Sequence, residues 1–166
     1  MDADAKKTAL RMIPYGIYVM TAEQGDDVTA ATVNWVTQTS FEPPLVAVGV
    51  KADSGAYALI QKTKAFNLNM LGKGGQGAAF AFFKPTVKEA GMLSGQPYHA
   101  GANGHPVLDD AIAHVECEVA EIVAHGDHHI ILGQVTNANV AKQPEGRADD
   151  AILWMKDLGD TVFYGG

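Results

Sequence analysis

The chain has 166 residues, of which 47% are hydrophobic, and a net charge of −7. Its length suits one domain (residues 1–166) with a real core, and its apolar content excludes a disordered chain. The acidic balance argues against nucleic-acid binding. The single cysteine, Cys117, excludes an intrachain disulfide and points to a reducing, cytoplasmic setting.

The opening "MDADAKKTALRMIPYG" carries acids where an export signal needs a basic region followed by a long apolar run. Neither an export signal nor a membrane span is expected. Residues 5–12 read as a short helix stopped near Pro14, "YGIYVMTAE" as a strand and "EQGDD" as a turn. "VTAATVNWVTQTSF" reads as one long second strand. "LVAVGVK" follows as a third, apolar enough to be buried on both sides. Residues 54–64 are helical, with Ser54 placed as the cap. "AFNLNML" returns to strand, and 77–84 is a short helix ended by Pro85. Residues 90–107, rich in Gly, Pro and His, read as irregular loop. "AIAHVECEVAEIVAHG" and "HHIILGQVTNANVA" form a hairpin around Gly126 and Asp127, and "AILWM" and "TVFYGG" follow. Strands dominate without regular βαβ alternation, so the expected fold is mainly β: an antiparallel, closed or partly open barrel with peripheral helices.

Charge is unevenly spread. From Lys51 to Lys88 six lysines face one acid, Asp53, giving +5, while the rest of the chain carries −12. A basic middle in an acidic chain is where an anionic ligand is sought, although solvated lysines on helix surfaces account for the same pattern.

Several motifs carry less than they suggest. "GKGGQG" (72–77) matches a dinucleotide fingerprint after a strand and before a helix. However, Pro85 ends that helix early and no acid follows at a strand end. A tight loop is the preferred reading. "HGDHH" (125–129) invites a metal, but no second Cys/His cluster supports one, so a turn or a pocket histidine stands instead. Cys117 in "VECEV" reads as structural, and Asp109–Asp110 as a turn or helix start. No nucleophile elbow is present.

The stretch "ATVNWVTQTSFEPP" (31–44) alternates like a strand yet carries hydroxyls and amides on both faces. A flavin needs hydrogen bonds along its ring edge, apolar or aromatic surface at its ring faces, and amides, hydroxyls and a cation at its phosphate. Thr32, Asn34, Thr37, Gln38 and Thr39 can supply the first and Trp35 the second. Lys51, Ser54 and the start of the 54–64 helix can supply the third. Cross-strand Thr/Asn/Gln pairs on a solvated face are the plainer alternative.

In order, "GIYVMTA", "TVNWVTQTSFEPPLVAVGV", "KADSGAYALI", "FNLNML", "GHPVLDDAIAHVECEV" and "GDHHIILGQV" resemble the flavin reductase-like family of FMN-binding split β-barrels. "NWVTQTSFEPP" is most similar to the branch found beside rubredoxin or diiron flavoprotein modules. The resemblance implies a Greek-key split barrel, a homodimer with FMN near the subunit interface, and hydride transfer from NAD(P)H to flavin N5. It implies onward delivery to an acceptor, free flavin or a redox partner protein; the charge and the lack of a span already argue against nucleic acid and membrane. It places the flavin ring and ribityl along Thr29 to Thr39, Val33 included, and the phosphate at Lys51, Ser54 and Tyr57. Asn69 and Lys88 match further cofactor positions, His128 matches the histidine of the "GDH" motif, and Phe163 or Tyr164 would reach the ring. An electron-transfer flavoprotein serving a protein partner is the alternative. A cofactor-free or haem-binding barrel is a third reading.

Overall fold

The computed structural model describes residues Met1 to Gly166. After the helix Ala3–Arg11 (α1) come the strands Tyr18–Gln24 (β1), Asp27–Val33 (β2), Val36–Ser40 (β3) and Leu45–Lys51 (β4). The helix Gly55–Thr63 (α2), the strand Ala65–Met70 (β5) and the helix Gln76–Ala81 (α3) follow. Four short strands are Lys88–Glu89 (β6), Met92–Leu93 (β7), Gln96–Ala100 (β8) and Pro106–Leu108 (β9). The long hairpin Ala113–Val123 (β10) and His128–Val140 (β11) leads to Ala148–Ala151 (α4) and a 3-10 turn at Met155–Leu158.

The main sheet has seven strands in the order β2-β1-β5-β10-β11-β4-β3, every neighbour antiparallel. Its two edge strands, β2 and β3, are consecutive in sequence and joined only by Asn34 and Trp35. In a flat sheet these edges would lie about 29 Å apart at the usual strand spacing. The link from Val33 to Val36 can reach only about 11 Å. The sheet must therefore curl until its edges nearly meet, and because β2 and β3 do not pair, the barrel stays split along that seam. The expected single strand over 28–41 is thus two strands, with Asn34–Trp35 at the break.

The outer edge of β2 is covered. Ala30 N–H donates to Thr86 Oγ1, which donates back to the Ala30 carbonyl, and Thr32 N–H donates to the Phe82 carbonyl. Covering an edge in this way removes a site for unwanted strand pairing and brings the 82–86 segment to the seam. β3 has no such cover, and Thr37, Gln38 and Thr39 are exposed.

Met20, Ala22, Val48, Phe66, Leu68 and Ile131 fill the barrel interior. Helix α2 closes it from outside, burying Tyr57, Leu59 and Ile60 in the same cluster. Ser54 caps α2 as expected, its Oγ accepting from Tyr57 N–H at 3.1 Å. Strand β4 was expected to be buried on both faces, but only Val48 and Val50 are buried, because its neighbour β3 is a short open edge.

The opposite face of β1 and β5 is buried too, under β9. Residues 90–107 are not irregular; β6 to β9 form a second sheet. Between the layers lies a polar network. Asn69 donates to the Val19 carbonyl and accepts from Leu108 N–H, while Asn67 donates to the His105 carbonyl. Glu116, 2% exposed, accepts from Ala102 N–H, Asn103 N–H and Asn137 Nδ2. Burial pushes the Glu116 pKa up, but these bonds and nearby His114 outweigh it, and the carboxyl is held below its ordinary range. Cys117 is fully buried, and burial followed by the adjacent Glu116 charge pushes its thiol up to about 12.

The "GKGGQG" loop enters a helix of only six residues, and no parallel strand follows, so it forms no dinucleotide-binding unit. No helix is long and apolar enough to cross a membrane.

Candidate functional site

The seam opens into a trough. One part, about 470 Å³, is walled by Thr32 and Val33 from the end of β2, Asn34 just after it, His128 from β11, Phe82 and Phe83, and Val162 to Tyr164. A second part, about 740 Å³, runs on past Thr29 and the start of α2 to Lys62 and Lys84. The two share Ala31, Lys51, Ser54, Ala56, Phe82 and Phe83, so the trough is continuous from an aromatic end to a cationic one. Local reasons place each wall. The Asn34–Trp35 break turns the backbone into the seam, the β2 edge cover delivers Phe82 and Phe83, and the Ser54 cap aims the first amides of α2 at the cationic end.

At the aromatic end, His128 is held by both ring nitrogens. Nδ1 lies 3.0 Å from Asp127 Oδ1 and Nε2 lies 2.6 Å from the Tyr164 hydroxyl. A carboxylate only accepts, so Nδ1 carries a proton, and in the neutral imidazole Nε2 accepts from Tyr164. Burial raises the Tyr164 pKa against the pull of Lys51, with Asp127 and Asp53 adding to the rise, so the hydroxyl keeps its proton near neutral pH. Asn34 Nδ2 donates to the Tyr164 carbonyl at 2.9 Å. Trp35 packs against His128 and Tyr164, with ring centroids 4.6 and 5.5 Å away. Its other side rests on Gly49, where a Cβ would come within 3.1 Å of the indole. The Trp35 Nε1–H is buried without a partner.

At the cationic end the lysines are less free than the segment's +5 suggests. Lys51 pairs with Asp53, Lys62 approaches Asp27, and Lys88 pairs with Glu23. The hydrogen bond to Asp53, and then its charge, raises the Lys51 pKa.

Thr29, Thr32, Val33, Asn34, Lys51, Ser54, His128 and Phe163 all line the trough. Seven other expected residues do not, for identifiable reasons. Trp35 lies beneath Tyr164. Thr37, Gln38 and Thr39 sit on the open edge strand. Tyr57 is buried, with its hydroxyl on His129 Nδ1 at 2.7 Å. Asn69 is fully buried with both ends of its amide bonded inside the protein. Lys88 turns to Glu23 on β1. Sequence reasoning did not single out Phe82, Phe83, Lys84 or Val162, although a Phe-Phe-Lys run beside a proline was a visible signal. No three His, Cys, Asp or Glu side chains converge to hold a metal.

The donor set fits a flavin. A flat ring suits the Phe82, Phe83 and Phe163 end; Thr32 and Asn34 offer polar edge contacts; and a terminal phosphate suits Ser54, the α2 amides, Lys51 and Lys84. The orphaned Trp35 N–H is a donor in want of an acceptor at the same end.

A split, antiparallel barrel with this cleft at its seam is the architecture of FMN-binding split barrels. It overlays an FMN-binding protein of Thermus thermophilus with a TM-score of 0.70 at 22% identity, over 78% of this chain and 72% of that one. It also overlays the NADH:FAD oxidoreductase of Streptomyces globisporus with a TM-score of 0.69 at 29% identity, over 77% and 71% of the two chains. Residues 10–158 match the model of the flavin reductase like domain, and the chain belongs to that family. Diflavin flavoprotein A 1 of Synechocystis is 38% identical over 143 residues, 86% of this chain but 25% of the relative. The chain thus spans about a quarter of the length of the curated relatives it matches.

Proposed function

We propose that this domain is an NAD(P)H-dependent flavin reductase that holds FMN in the seam trough and passes electrons to free flavin or a redox partner protein. The observation that carries this reading is the continuity of the trough from an aromatic end to one cationic end. That shape fits a ring system with a single terminal phosphate better than an extended dinucleotide. Bound FMN supplies the hydride-accepting and electron-passing chemistry. The chain's own residues bind and orient: Ser54, the α2 amides, Lys51 and Lys84 hold the phosphate, and Thr32 and Asn34 hold the ring edge. His128, fixed by Asp127, positions the nicotinamide. In a homodimer, the exposed Thr37, Gln38 and Thr39 would reach the cofactor of a second copy.

The test is the absorption spectrum of the purified or FMN-reconstituted protein, followed by anaerobic mixing with NADH and with NADPH. Rapid bleaching is expected, and His128→Ala should slow it while FMN binding survives. A colourless protein that cannot be reconstituted would end the reading. One observation favours an alternative, an electron carrier that uses NAD(P)H poorly: the Synechocystis relative is a diflavin flavoprotein of which this region is 25%. Bound FMN that stays oxidised in both reduced nucleotides would select it.

A further inference from the structure

Between the trough and a separate cavity of about 550 Å³ runs the segment Val162–Gly165, of which Val162, Phe163 and Tyr164 line both. It has no regular secondary structure, and its rings are half exposed, Phe163 at 52% and Tyr164 at 48%. Its polar ties to the rest of the fold are few. Asn34 donates to the Tyr164 carbonyl, Val162 N–H donates to the Gly159 carbonyl, the Tyr164 hydroxyl meets His128 Nε2, and Arg11 Nε reaches the Gly165 carbonyl at a long 3.4 Å. Arg11 also stacks on Phe163 at 4.2 Å. Just before the segment, Gly159 adopts φ 130° and ψ 153°, a backbone region essentially reserved for glycine and suited to a hinge.

Beneath this segment lies the mismatch noted above. Trp35 Nε1–H is buried without an acceptor, with Gly165 close to it. An unpaired buried donor is destabilising, and it points to an arrangement other than the one that leaves it unpaired. The same cover packs on the Trp35 ring and meets His128 Nε2, the nitrogen through which His128 would meet a ligand.

We propose that Val162–Gly165 is a displaceable strap hinged at Gly159 and latched by the Tyr164 hydroxyl on His128. Its release frees Trp35 and His128 for the bound ring systems and joins the two cavities into one cleft. The inference rests on the flavin reading for the identity of the ligand, but the latch itself is a property of the ligand-free chain.

The latch and a direct ligand contact predict opposite signs. Tyr164→Phe keeps the ring and removes the hydroxyl. If the hydroxyl is a latch, the variant spends more time open. In ligand-free protein, exchange of the Trp35 indole N–H, buried under the strap, should quicken by about fivefold, the worth of one ordinary hydrogen bond. The FMN dissociation constant should fall by up to about the same factor. If Tyr164 instead contacts the cofactor, that constant should rise. A rise in Kd, or unchanged exchange in the variant, would overturn the strap. In ¹⁵N-labelled protein only Trp35 and Trp154 give indole signals, which Trp154→Phe assigns. FMN should move the Trp35 signal; FMN that binds without moving it also overturns the proposal. Failure of FMN to bind wild type at all would remove the flavin reading, while the exchange comparison would still decide the latch.

Discussion

Two groups of polar residues, one buried and one partly exposed, sit on opposite sides of this barrel. The network beneath β9 is closed: the Glu116 carboxylate and the Asn67 and Asn69 amides meet partners within the protein. The cluster at the seam is open: Trp35 N–H has no partner, and its neighbours His128 and Tyr164 border cavities. Complete satisfaction fixes a loop and a layer of structure. Incomplete satisfaction, beside a trough, leaves capacity for something else to bind.

The comparison breaks most readily at Glu116. Glu116→Gln sets an amide N–H₂ against backbone N–H groups and should cost about 2–4 kcal/mol in urea unfolding. A loss under 1 kcal/mol would show that the network is not what holds the 101–105 loop. Acid sharpens the same point. The folded-state pKa of Glu116 lies below the ordinary value, so its contribution is present above the ordinary glutamate range and lost as pH falls through the folded-state pKa. Glu116→Gln should remove that part of the acid slope.

Asn69→Ala comes next. It strands the Leu108 N–H donor and should cost about 2 kcal/mol while leaving FMN affinity nearly unchanged in the folded fraction. A selective loss of FMN binding without loss of stability would return Asn69 to the site. Gly49→Ala should be milder, about 1 kcal/mol, because its methyl would press the Trp35 indole and the half-buried ring can shift. Its signature is a changed Trp35 environment in the near-ultraviolet circular dichroism. Smallest is Cys117, whose thiol should stay unreactive toward a thiol reagent at pH 8 until the protein unfolds.

The sequence made the strands and their turns readable because period-two alternation and glycine punctuation are local. It also made the trough's floor readable, since Thr32, Asn34, Lys51, Ser54 and His128 lie in short motifs with evident chemistry. The break at Asn34–Trp35 was not readable, because the alternation runs through it unbroken and only the closure of the sheet imposes the bend. The 90–107 region hid its strands because they are two to five residues long and paired only with one another. Asn69 entered as a cofactor residue through the family resemblance alone, and local sequence holds no sign of its amide's partners, Val19 and Leu108, which only the fold brings to it.

The seam link also governs where this chain can change length. One residue added between Val33 and Val36 would turn the pleat of β3 over and carry Val36 off the core face, so the site would lose its shape through register rather than chemistry. The exposed turn at Gly25 carries no such constraint. Peptide insertions should be accepted there and refused at the seam, whatever their composition.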